Sequence, residues 1–107
     1  MTTLLETRLA AIAAAGETIT YGALARDIRW RMAELTTALE DLMESDAAAE
    51  NPLRSTLCEA KFGHGLPARG FFDKAAALGF DVSDPAAFVA AQRRALWQAA
   101  GAATSPE

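Results

Sequence analysis

The chain has 107 residues, 51% of them hydrophobic, 22% charged and 7% aromatic, with a formal net charge of −4. That length supports one domain burying roughly two thirds of the surface its unfolded chain exposes, and the composition is not that of a disordered segment. No run approaches the about 18 apolar residues of a membrane span, and one Cys with one His is too few for an internal disulfide or a structural zinc site. The opening Met1-Thr2-Thr3-Leu4-Leu5-Glu6 lacks a basic, apolar leader. These features lead us to expect a cytoplasmic protein without membrane, metal or cofactor, with one domain over residues 1–100 and a frayed tail over 101–107.

Alanine accounts for 26 residues, clustered at 10–15, 47–49, 75–77 and 86–103, which favours a mainly helical domain. Leu5, Leu9 and Ile12 share one face of a helix over 4–15, and Gly16 stands where a C-terminal cap belongs. Thr18-Ile19-Thr20 is a short β-branched stretch, with Thr20 placed to cap a helix over 21–28 that turns Leu24 and Ile28 inward. After a turn near 27–30, Met32, Leu35, Leu39, Leu42 and Met43 form the apolar stripe of a helix over 31–49, stopped by Asn51-Pro52. Residues 53–62 alternate imperfectly and read as a strand. Gly63-His64-Gly65 reads as a turn, and Leu66 to Arg69 as a short strand pairing back. A helix over 71–78 ends at Gly79, and Asp84-Pro85 opens a last helix to about Ala100. Three helices, a β-hairpin and two helices define a mainly α fold in the chain order of a winged helix. The second and third helices form its helix-turn-helix pair.

Gly16-Glu17-Thr18-Ile19-Thr20-Tyr21-Gly22-Ala23-Leu24-Ala25 resembles the opening of the winged-helix DNA-binding domain of alkyltransferase-like proteins. The Pro-Cys-His-Arg or Pro-Trp-His-Arg segment of that family does not occur here, so the resemblance implies the fold and no alkyl-transfer chemistry. Gly65-Leu66-Pro67-Ala68-Arg69-Gly70-Phe71-Phe72 is similar to a segment of small uncharacterised bacterial proteins that share the Thr-Tyr-Gly opening, and implies no activity.

Cys58 reads as a small apolar core residue, although a hairpin would bring His64 across from it as the available base. The glycines at 63, 65 and 70 match neither a dinucleotide fingerprint nor a P-loop and suit a tight turn. Phe71 and Phe72 point about 100° apart on a helix, so one belongs to the core. Trp30 and Trp97 read as packing.

Charge is unevenly placed. Between Met32 and Leu53 there are six acids (Glu34, Glu40, Asp41, Glu44, Asp46, Glu50) and no base, a surface that repels phosphate. Arg26, Arg29 and Arg31 cluster at the start of that helix, and Lys61, His64 and Arg69 lie around the turn. The expected function is non-catalytic DNA binding, as a regulator or a module of a larger assembly. Arg26, Arg29 and Arg31 would enter or flank the major groove, and Lys61, His64 and Arg69 would hold phosphates. The alternative is a protein-docking domain using the acidic third helix or the Phe71/Phe72 region.

Overall fold

The computed structural model describes residues 3–101. Helix α1 (Leu4–Ala14) starts at a reciprocal cap. Thr3 Oγ1 accepts the Glu6 N–H at 3.1 Å, and Glu6 Oε1 accepts the Thr3 N–H at 3.0 Å. Leu5, Leu9 and Ile12 are buried, as their spacing requires, and the chain leaves through Gly16 at φ 69°. A two-residue strand, β1 (Ile19–Thr20), leads directly into α2 (Tyr21–Ile28), where Thr20 Oγ1 caps the Ala23 N–H at 3.2 Å. Arg29 ends α2 in the left-handed region, at φ 60°, and the Trp30 N–H closes back on the Ala25 carbonyl at 3.0 Å. Helix α3 (Met32–Ala48) follows α2 after three linking residues, with Glu34 Oε1 accepting the Arg31 N–H at 2.8 Å.

The strand expected over 53–62 does not form. Arg54–Leu57 is a 3₁₀ turn, and only Cys58–Glu59 (β2) is extended. β2 pairs in parallel with β1, Ile19 opposite Cys58 and Thr20 opposite Glu59, so the predicted hairpin is absent, and with it the wing that the expected winged helix requires. Residues 66–68 form no strand; instead α4 (Arg69–Ala77) begins two residues earlier than the spacing suggested. The physical reason is burial on every side. Leu53, Ser55, Thr56, Leu57 and Cys58 are all buried, so this stretch has no solvent face for an alternating strand to present.

Its polar groups are met by side chains of α5 (Pro85–Ala99) and a backbone carbonyl of α3. Gln92 Oε1 accepts the Leu53 N–H at 2.7 Å, and Ser55 Oγ donates to the Leu39 carbonyl at 2.9 Å. Arg93 Nε donates to the Thr56 carbonyl at 2.6 Å. Gln92 and Arg93 belong to α5, which opens as expected, with Asp84 Oδ1 accepting the Ala87 N–H at 3.2 Å and Pro85 in the first turn.

One core joins α1, α2 and α3 to Leu57 and Cys58, with Trp30 and Trp97 packed on its edge. A second joins Met43, Leu53, Phe71, Ala75 and Val89, where Phe71 meets Phe72 edge to face at 5.1 Å and Phe80 lies 5.6 Å from Phe88. Gly101, the first residue of the expected tail, is in a turn; the rest of that tail lies outside the described residues. No helix among the described residues is long and apolar enough to cross a membrane.

Asp46 departs from the solvated acidic face that the sequence suggested. It is 3% exposed and accepts three kinds of donor from Arg54: the backbone N–H at 3.0 Å, Nε at 3.1 Å and Nη2 at 2.8 Å. Arg54 Nη1 also reaches Glu6 at 3.1 Å, so one guanidinium links α1, α3 and the 3₁₀ turn. Removing the cation leaves a buried carboxylate without its counter-charge. Arg54→Ala should therefore cost about 3 kcal/mol in urea denaturation, far more than a surface arginine.

Glu6 is held below its ordinary 4.5 by the Thr3 N–H and then by the Arg54 guanidinium. Its contribution is complete above that value and disappears as pH falls through the lowered folded value. The urea midpoint should drop in acid below about pH 4.5, and Glu6→Gln should flatten part of that drop.

Candidate nucleic-acid interface

Because β1 and β2 run in the same direction, the chains leaving them emerge side by side. Thr20 opposite Glu59 brings the start of α2 next to Ala60 and Lys61. Between them, the first half of α3 and the start of α4 lies an open cleft of about 760 Å³, largely apolar, walled by Tyr21, Met32, Leu39, Met43 and Phe71. Arg26, Thr36, Glu40 and Lys61 supply its polar groups.

Tyr21 fixes one side. Its hydroxyl accepts the Ala68 N–H at 3.1 Å, tying α2 to the segment before α4. Burial pushes the phenol up to about 12, against the lowering effect of the Ala68 bond, so it stays protonated. Arg26 folds back over Gly22, its Nη1 3.7 Å from where a Cβ would stand.

All six predicted contact residues, Arg26, Arg29, Arg31, Lys61, His64 and Arg69, are exposed. Arg26 and Lys61 share the cleft; Arg29, Arg31, His64 and Arg69 do not line it, although Ala68 and Gly70 on either side of Arg69 do. The acids nearest in sequence are occupied elsewhere. Asp27 pairs with Arg8 at 3.0 Å, and Glu59 accepts the Thr18 hydroxyl at 2.6 Å. Among the described residues, no carboxylate lies within 4.0 Å of the side-chain nitrogens of Arg26, Arg29, Arg31 or Lys61, and Arg69 meets Asp73 only at that distance. Arg54 and Lys74, by contrast, are consumed by Asp46 and Glu44, and Arg93 by backbone carbonyls. Arg94 is a further exposed cation, on α5 and away from the cleft.

Three features went unread in the sequence. Met32 continues the apolar stripe of α3 by spacing yet is 48% exposed on the cleft wall, because the first turn of α3 extends beyond the core. Glu40 shares the cleft with Arg26 and Lys61 although the charge pattern placed it outside any phosphate-binding face. Phe62, the expected end of a strand, is 85% exposed on the loop after β2.

Cys58 is fully buried, and burial pushes its thiol up to about 12 despite the nearby Arg93. His64 sits in an exposed turn at φ 54°, and the hairpin that would bring the two together is absent. Among the described residues no group of three or more His, Cys, Asp or Glu is placed to hold a metal ion. Comparison with protein-family models, with curated proteins and with solved structures finds no match.

In the native protein Cys58 should resist iodoacetamide at pH 8 and react only after unfolding in urea. Cys58→Ala should fold, at a cost of about 1 kcal/mol.

Proposed function

We propose that this domain binds duplex DNA, as a regulator or as a module of a larger assembly, through the face formed by the end of α2, the start of α3 and the loop after β2. The carrying observation is that the side chains of Arg26, Arg29, Arg31 and Lys61, four of the six predicted contact residues, have no carboxylate partner among the described residues, while Asp27 and Glu59 are paired elsewhere. Ion-paired arginines must lose a partner before they meet a phosphate; Arg26, Arg29, Arg31 and Lys61 need not. The arrangement of α2, three linking residues and α3 fits a helix-turn-helix in which the first turn of α3 approaches the bases. With no hairpin wing, the second phosphate contact falls to the loop carrying Lys61 and His64, with Arg69 beyond it. Glu40 opposes this reading locally and confines the contact to the N-terminal end of α3.

Protein docking through α3 or the Phe71/Phe72 region has less support. Phe71 is buried in the second core. Of the six acids, Asp46 is internal, Glu44 pairs with Lys74, and Glu34 caps its own helix.

A salt titration with random duplex DNA tests the proposal. Binding should weaken steeply with salt, and an Arg26→Ala, Lys61→Ala double substitution should reduce the log–log slope by about two. Glu40→Gln should tighten binding by removing a charge of the same sign as phosphate. Absence of binding in low salt, or a slope unchanged by the double substitution, would contradict the proposal.

A further inference from the structure

We infer that Phe62 is a wedge that enters a base step of bound DNA; this inference rests on the DNA-binding reading above. The loop that carries it is held by its own backbone. The Ala60 N–H donates to the Leu66 carbonyl at 2.9 Å, Gly63 N–H to Ala60 at 3.0 Å, and Leu66 N–H to Gly63 at 3.0 Å. A Cβ on Gly63 would stand 2.7 Å from the Leu66 carbonyl oxygen, so only glycine fits. His64 at φ 54° and Gly65 at φ 87° complete the turn in the left-handed region.

The loop therefore keeps its shape without burying Phe62, whose ring is 85% exposed. A fixed loop that holds an aromatic ring in water forgoes apolar burial that a partner can supply. The ring is flanked by charge suited to phosphate. Lys61 Nζ lies 5.3 Å from its centroid, and Lys61 also borders the cleft that holds Arg26. An apolar ring beside Lys61, which has no carboxylate partner among the described residues, matches the way wedge residues unstack a base step while a neighbouring cation holds the backbone. Pyrimidine–purine steps yield most easily to such a wedge.

The test uses the full chain and a duplex carrying 2-aminopurine within a pyrimidine–purine step. The wild-type protein should raise the 2-aminopurine fluorescence on binding. Phe62→Ala should abolish that rise and weaken affinity about tenfold with an unchanged salt slope, because it removes stacking and no phosphate contact. Lys61→Ala should lower the slope and retain the rise. An exposed ring can be removed without unfolding the domain, so Phe62→Ala remains informative. If wild type binds and Phe62→Ala matches it in affinity and fluorescence, the wedge is overturned and DNA binding stands. If wild type does not bind in low salt, both readings are overturned. Phe62-dependent capture by phosphatidylserine vesicles, with DNA binding unaffected by the substitution, would overturn the wedge and assign the ring to a membrane surface.

Discussion

The pairing of Arg54 with buried Asp46 fixes the segment on which the other elements are assembled. A carboxylate 3% exposed is tolerable only with full compensation, and Arg54 supplies it through backbone and side chain together. The same guanidinium reaches Glu6, so α1 and α3 are fastened to the 3₁₀ turn between them. Residues 53–58 then pass through the middle of the domain, and α3 and α5 provide the acceptors and donors that a buried, irregular backbone needs.

That buried passage also sets the geometry of the cleft. Once Cys58 and Glu59 are held beside Ile19 and Thr20, the parallel register delivers Tyr21 and Ala60 to the same end of the two strands. Arg26 follows on α2 and Lys61 on the loop, and both reach one cavity. The shared cleft therefore depends on a two-residue pairing at its edge, where Thr20 lines the cavity beside both cations.

The helices were legible because each carries its own punctuation. Thr20, Asp84, Gly16 and Gly79 act at the positions where local hydrogen bonding and positive φ demand them, and the leucines of α1 to α3 face the core at their expected spacing. The β structure was misread because residues 53–62 look alternating only if one face meets water, and burial on all sides is a tertiary fact. Asp46 was hidden for a similar reason. Within a run of acids it looks like its neighbours, and the arginine that neutralises it lies eight residues on, beyond Pro52. Exposure of the candidate cations could be read from their loop and helix-end positions, whereas their freedom from acids could not. It turns on Arg8 reaching Asp27 across α1 and α2, and on Thr18 holding Glu59 across the two strands.

The most direct test of the DNA-binding face proposed above is an amide NMR titration of the folded chain with a short duplex in low salt. The account predicts shift changes confined to residues 26–32, 60–65 and 68–71, fading as salt is raised. Changes centred on Asp41 to Ala49 of α3 or on α5, or none at all, would contradict it.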